Sequence, residues 1–320
     1  MGVSPSSYPA PDGDVMRKGR TLGDREQAVA AFVASELGCE ATRVVRVAAF
    51  ATNAVYEVDA DGRRFVVKAS RRHDALRAEA WACARGADAG CATPAILGLG
   101  RLGTDDSMSA FIMRRVDGGP IVAGHPALPA VGVGLRRLHD VRLPGFGWLA
   151  EASWDARGDC SLLHRSWLGF LKGICGDARR LADSYVGAAP VAEAAAAALD
   201  AHADALAAVE VGSLCHGDLK AAHLLVDAGR LAGVIDWGDA VVGDPLWDIA
   251  RFAHRADAGS VSLLLEGYDP ERAMGDELAW RVPLYGALWM LVDAIVAHRL
   301  GRRVEAVLEA VMGSLAQQAG

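Results

Sequence analysis

His216-Gly217-Asp218-Leu219-Lys220-Ala221-Ala222-His223, followed by Val234-Ile235-Asp236-Trp237-Gly238-Asp239, is the densest cluster of reactive side chains in the chain. Between the two stretches, Leu224-Leu225-Val226 and residues 231–235 are short apolar runs joined by Asp227-Ala228-Gly229-Arg230. Apolar runs flanking a Gly-containing turn predict a β-hairpin. Asp218 precedes its first strand and Asp236 ends its second, so antiparallel pairing brings the two carboxylates side by side. Carboxylates at a strand–loop border suit a hard cation such as Mg²⁺ and a proton-accepting base.

Upstream of this unit the pattern changes. Asp24 can cap a helix to about Leu37. Segments 44–50, 55–58 and 65–68 then read as strands, the last two joined by Asp61-Gly62, a strong hairpin signal. A helix over 74–89 and strands near 96–101 and 109–113 complete a small α+β lobe. Asp117-Gly118-Gly119-Pro120 punctuates the chain as a hinge. Beyond it, segments 127–139, 161–183, 190–209, 246–267, 276–299 and 303–317 read as helices around the β island. The expected domains are a flexible lead over 1–23, a sheet-rich N-lobe over 24–116 and a larger, mainly helical C-lobe over 117–320. The fold class is therefore α+β and bilobal.

The 320 residues suffice for two lobes around a cleft, and 52% hydrophobic with 23% charged residues is a globular composition. The net charge is −7 with no basic stripe, so no nucleic-acid partner is expected. Six cysteines occur without a C-x-x-C pair or a His cluster, which favours reduced thiols over disulfides or zinc. The N-terminus lacks the apolar run of a secretory signal. The longest apolar stretch, 282–297, is interrupted by Asp293 and is too short and polar for a membrane span. The expected setting is cytoplasmic, with no membrane partner. Oligomeric state is left open.

The ordered combination of His216-Gly217-Asp218, His223, Ile235-Asp236-Trp237, Gly243-Asp244-Pro245 and Trp247-Asp248-Ile249-Ala250 resembles the aminoglycoside phosphotransferase and choline kinase-like family. These are small-molecule relatives of the protein kinases. The resemblance covers about residues 40–300 and implies a protein-kinase-like fold. It implies Asp218 as the base facing an acceptor hydroxyl, and Lys220 as a contact to the transferring phosphate. Asp236 would ligate Mg²⁺ on the nucleotide phosphates. Lys68 would contact those phosphates, held by an ion pair from Glu79, which is the kinase logic of positioning plus charge neutralisation. Thr52 and Asn53 correspond to the nucleotide loop, and Met113 to Val116 to the linker whose backbone pairs with the nucleobase of ATP or GTP. His216 and Asp248 would be structural supports.

His223 departs from the pattern, which has Asn there. Asn offers the oxygen that Mg²⁺ prefers, whereas imidazole suits softer metals, Mn²⁺ among them. Three readings stand: a metal ligand, a hydrogen-bonding residue, or a mark of impaired catalysis. Residues 210–320 hold 16 Asp and Glu against 9 Lys and Arg. An acidic acceptor lobe would attract a cationic, hydroxylated small molecule. Trp280, Tyr285 and Trp289 could stack on such a ligand or pack between helices. The expected activity is transfer of a nucleotide γ-phosphate to an aminoglycoside, cyclic-peptide or nucleoside antibiotic, giving resistance or self-protection. The alternatives are a metabolic choline- or sugar-type kinase, or a nucleotide-binding pseudokinase.

Overall fold

Alternating apolar residues build the first sheet. Tyr56, Val58 and Ala60 on one strand and Phe65, Val67 and Ala69 on the next are buried, and Asp61-Gly62, both at positive φ, turn the chain between them. The computed structural model describes residues 23–49, 53–103, 108–155, 159–185 and 187–318. Most of the expected N-terminal lead, together with Phe50 and Thr52, lies outside the described residues.

The first lobe contains α1 (Asp24–Leu37), β1 (Ala41–Ala49), β2 (Asn53–Ala60), β3 (Arg63–Ser70), α2 (His73–Asp88), β4 (Ile96–Arg101) and β5 (Ser109–Arg114). The five strands form an antiparallel sheet in the order β1-β2-β3-β5-β4. Val29, Phe32 and Val33 of α1 share a core with Val44, Tyr56, Val58, Val67 and Ile112 of the sheet. Helix α2 faces two ways. Its Leu76 and Ala80 pack on Phe111 of the sheet, while Ala78, Ala82 and Cys83 belong to the large core of the second lobe.

The second lobe comprises β6 (Gly119–Pro120), α3 (Leu128–His139), β7 (Arg142–Leu143), β8 (Gly147–Trp148), β9 (Ser153–Trp154), β10 (Cys160–Ser161), α4 (Trp167–Arg180), α5 (Ala188–Ala201), α6 (Ala203–Ala207), β11 (Gly212–Cys215), β12 (Leu224–Asp227), β13 (Arg230–Val234), β14 (Val241–Gly243), α7 (Leu246–Arg255), α8 (Ala258–Tyr268), α9 (Gly275–Arg299) and α10 (Glu305–Gln318). Among the described residues three small sheets, β13-β12-β6, β7-β11-β14-β8 and β10-β9, accompany the helices. The linker between the lobes is tied at both ends. Asp117 pairs with Arg64 and Arg115, and Arg115 Nε donates to Glu57 at 3.1 Å. Beyond it, β6 pairs with β12. Gly118, at φ 111°, passes so close that a Cβ would lie 2.2 Å from the Val226 carbonyl oxygen.

Helix boundaries differ from the sequence pattern where a cap interrupts an apolar run. The expected helix over 246–267 is two helices, because Ala256 is extended and Asp257 caps α8 by accepting from Ser260 N at 3.0 Å. Helix α4 begins only after Ser166, which accepts from Gly169 N at 3.1 Å. The segment 190–209 breaks into α5 and α6 at His202.

Tyr285 and Trp289 are buried with Trp167 and Trp247 in the second-lobe core. Trp167 Nε1 donates to Tyr285 Oη at 2.9 Å, which donates to Asp244 Oδ2 at 2.8 Å. Trp280 stacks on His202, ring centroids 4.4 Å apart. Of the two uses open to these aromatics, packing is the one observed. Helix α9 is long and apolar enough to cross a membrane by length and composition, yet it packs on α7 and α10, and its Asp293 is ion-paired with Arg251 and Arg255.

Candidate active site

The hairpin of β12 and β13 forms with Leu224 opposite Val234 and Asp227 opposite Arg230. At its open end Ile235 N donates to His223 O at 2.9 Å, which seats Asp236 beside His223. Asp236 adopts φ 64°, ψ 66°, a left-handed conformation that costs a non-glycine residue about 1–3 kcal/mol. The turn is anchored by Trp237, which is buried against Gly86 of α2 and whose Nε1 donates to Val234 O at 2.9 Å. The 216–218 segment meets this turn at Gly217, where φ is 80° and a Cβ would fall 1.7 Å from Asp239 O. Only glycine permits that approach.

The 216–218 segment is held from behind by Asp248, on the first turn of α7 and fully buried. Its Oδ2 accepts from His216 N at 2.7 Å and its Oδ1 from Gly217 N at 2.8 Å. His139 Nε2 donates to Oδ2 at 3.1 Å. Burial works against the Asp248 charge, but these donors hold its pKa below the usual carboxylate range. His216 Nδ1 accepts from Asp218 N at 3.2 Å, and Nε2 faces Ile235 O at 3.0 Å. A backbone N–H must donate and a carbonyl must accept, so these partners assign the proton to Nε2.

Lys68 on β3 reaches across the cleft. Its Nζ is 2.7 Å from Glu79 Oε1 on α2 and 3.3 Å from Asp236 Oδ1. Burial disfavours the Lys68 ammonium, but the two carboxylates outweigh it and leave the group firmly protonated. Burial likewise raises Asp236, and Lys68 with His223 more than reverses this, bringing it down to about 2. Alongside lies a cavity of about 220 Å³ whose lining includes Asn53, Lys68, Arg72, Glu79, Asp236 and Asp239.

Asp218 is buried at 6% exposure. Lys220 Nζ donates to its Oδ2 at 2.6 Å, and Arg251 of α7 donates to its Oδ1 through Nε at 2.9 Å and Nη2 at 2.7 Å. Against burial, Arg251, Lys220 and His223 hold Asp218 below the ordinary carboxylate range. His223 links the two carboxylates. Its Nδ1 donates to Asp218 O at 3.0 Å, and its Nε2 lies 3.3 Å from Asp236 Oδ2. Burial first, then Lys220 and His216, bring its pKa down to about 4, so at neutral pH the ring is uncharged and Nε2 carries a bare lone pair.

Lys68, Glu79, Asp236, His223, Asp218, Lys220, His216 and Asp248 thus form one contiguous network, with Asn53 at the cavity wall. Thr52 lies outside the described residues. Met113 sits on β5 between Val66 and Ile96, and Val116 packs toward Gly233 of the hairpin. Three participants carry no role in the sequence reading. Asp239 stands in the decisive stretch itself, is exposed, and has its pKa raised by the neighbouring charges of Asp218 and Asp236. Arg251, which pairs with Asp218 and directly follows the Trp247-Asp248-Ile249-Ala250 stretch, and its second partner Asp293 are the other two. Several acids of residues 210–320 are paired locally, Asp218 and Asp293 with Arg251 and Asp244 with Arg281, while the excess of acids over bases in that range remains.

The arrangement sets a fixed ammonium, Lys68, against the Asp236 carboxylate at the cavity, and His223 joins Asp236 to a second, buried carboxylate, Asp218. The model of the phosphotransferase enzyme family matches residues 43–280. Viomycin phosphotransferase of Streptomyces vinaceus is 31% identical over 186 residues, 56% of this chain and 60% of that protein. The uncharacterised protein YcbJ of Bacillus subtilis (strain 168) is 41% identical over 58 residues, 18% of this chain and 19% of that protein. These matches span about three fifths and one fifth of the two relatives. Among solved structures, the aminoglycoside phosphotransferase APH(4)-Ia in a ternary complex with ADP and hygromycin B superposes with a TM-score of 0.69 at 18% identity, over 92% of this chain and 99% of that one. A putative fructosamine-3-kinase from Thermobifida fusca YX-ER1 gives 0.68 at 23%, over 89% and 98%. These likenesses establish the kinase-like fold.

Proposed function

Because this chain belongs to the phosphotransferase enzyme family, we propose that it moves the γ-phosphate of ATP or GTP to a hydroxyl of a small-molecule antibiotic in the cytoplasm, giving resistance or self-protection. One juxtaposition carries the reading: Lys68, drawn from the first lobe, meets Asp236 of the second at 3.3 Å, and His223 joins Asp236 to the Asp218 segment. Lys68, braced by Glu79, binds the nucleotide phosphates, with Asn53 beside them, and the backbone of the Met113–Val116 stretch, running from the end of β5 into the linker, meets the base. Asp218 orients the acceptor hydroxyl. The acceptor oxygen forms the new bond to the γ-phosphorus, and the bond to the bridging oxygen breaks. The nucleoside diphosphate leaves with the electron pair, and the hydroxyl proton passes to Asp218. Lys220 neutralises charge on the transferring group. His216 and Asp248 keep the Asp218 segment in place.

A divalent cation would be held by Asp236 and His223. Two atoms that each bind an ion at about 2.1 Å with a right-angle bite lie about 3 Å apart. The bare Nε2 and Asp236 Oδ2, at 3.3 Å, fit that spacing. The ion supplies neutralisation of the phosphate charge. A nitrogen in the donor set favours Mn²⁺ over Mg²⁺ more than the Asn arrangement does. His223→Asn is expected to weaken Mn²⁺ binding about 10-fold, about 1.4 kcal/mol, in a paramagnetic titration of the nucleotide-bound protein. Unchanged Mn²⁺ affinity would remove His223 from the ligand set.

The viomycin and hygromycin B relationships favour an antibiotic acceptor. The fructosamine-3-kinase likeness supports the second reading, a metabolic small-molecule kinase. Purified protein with ATP or GTP and Mg²⁺ or Mn²⁺ is to be incubated with viomycin, hygromycin B, a nucleoside antibiotic, choline and a fructosamine, following product mass. A phosphorylated antibiotic is the expected product. Phosphorylation of the fructosamine or choline alone would favour the metabolic kinase, and bound nucleotide with no product the pseudokinase.

A further inference from the structure

Arg251 is 6% exposed and fixed on three sides. Its Nε and Nη2 hold Oδ1 of Asp218 at 2.9 and 2.7 Å. Its Nη1 sits on both oxygens of Asp293 in α9, at 3.0 and 2.9 Å. The guanidinium carbon lies 4.4 Å from the ring centroid of Trp289. Asp293 is in turn held by Arg255 Nη2 at 2.6 Å, so charges of alternating sign run from buried Asp218 to the exposed Arg255. A buried ion-pair chain is a poor way to join α7 to α9, since apolar side chains of similar volume commonly do so as well or better. What the guanidinium adds is geometry: its Nε and Nη2 converge on the single oxygen Oδ1 and commit that oxygen. The grip leaves Oδ2, shared with the more exposed Lys220, as the oxygen available to an incoming hydroxyl.

We propose that Arg251 is a positioning residue for phosphoryl transfer, with Asp293 and Trp289 holding it so that it fixes the rotamer of Asp218 and presents Oδ2 to the acceptor. The inference rests on Asp218 being the group that orients the acceptor. It accords with the loose transition state of this chemistry, in which placing the nucleophile matters more than a strongly basic carboxylate.

The test is steady-state ATP hydrolysis, with water as the acceptor, by the wild type, Asp218→Asn, Arg251→Gln, the double variant and Asp293→Asn. Arg251→Gln is expected to lower kcat about 10- to 100-fold with the KM for ATP within about 2-fold, and to add no loss in the Asp218→Asn background. A merely structural role would lower activity in that background too. The proposal is overturned if Arg251→Gln keeps kcat within about 3-fold of wild type, or if its loss multiplies with that of Asp218→Asn. Should Arg251→Gln fail to fold, Asp293→Asn decides: a loss in kcat of about 3- to 10-fold at unchanged KM supports the proposal, and unchanged kcat overturns it. Normal hydrolysis by Asp218→Asn would instead show that Asp218 is not the orienting group, and the proposal would fall with that assignment.

Discussion

Asp218→Asn is expected to lose at least about 100-fold in turnover while binding nucleotide as the wild type does, the usual scale for removing a positioned base. The separation of the two effects follows from the geometry. Asp218 contacts Lys220, Arg251 and the His223 ring, whereas Lys68 and Glu79 line the cavity on the far side of Asp236. The amide is isosteric and still accepts from Arg251 through its oxygen, so the 216–218 segment keeps its shape. What disappears is the anionic oxygen that, in the proposed function, orients the hydroxyl and receives its proton. Single-turnover transfer to the acceptor found in the panel, beside equilibrium binding of a nucleotide analogue, checks both halves. Survival of turnover would move the base to another carboxylate, with Asp239 the nearest unassigned one.

Asp248→Ala is expected to have the largest effect on stability. Asp248 is fully buried, and its two oxygens satisfy His216 N, Gly217 N and His139 Nε2. Truncation strands these donors away from water, at about 1–3 kcal/mol for each unsatisfied group. A net loss of about 3–5 kcal/mol, or about 5–7 °C in Tm for a chain of this length, is expected from such a set. Activity should fall with stability, since the freed segment carries Asp218. The lowered pKa of Asp248 gives the pH dependence its sign. The stabilisation is present above the ordinary carboxylate range and is lost as pH falls through the lowered folded-state value. Thermal melts of wild type and variant between pH 7 and 3 should therefore converge on acidification. A drop of under about 3 °C at pH 7 would mean that water replaces the carboxylate.

Much of the site was legible because its residues sit on locally determined structure. The turn over 227–230 forces the β12–β13 hairpin to fold back, and a hairpin necessarily makes neighbours of its two ends, so Asp236 and the His223 end of the Asp218 segment were placeable from spacing alone. Lys68 and Glu79 were placeable only through the family resemblance, since a strand lysine and a helix glutamate are individually commonplace. Asp239 was visible but carried no signal of its own. Its raised pKa depends on charges brought near it by folding. Arg251 lies 33 positions from Asp218 and 42 from Asp293 along the chain, with no motif linking them. The helix break at Asp257 was missed because hydrophobic periodicity continued through it, although Asp257 and Ser260 stand at cap spacing.

The sequence by itself determined the α+β class, the main run of strands and helices, and the hairpin that sets Asp236 beside His223, because turn residues, apolar periodicity and motif spacing act over a few residues. Only the tertiary structure decided the state of those groups. It set the strained backbone at Asp236, the bare Nε2 of His223, the pairing of Asp244 and Asp293 with arginines, and the grip of Arg251 on Asp218. Each of these arises from desolvation and from contacts between segments distant in the chain, and such quantities exist only once the lobes have packed around Lys68 and Asp236.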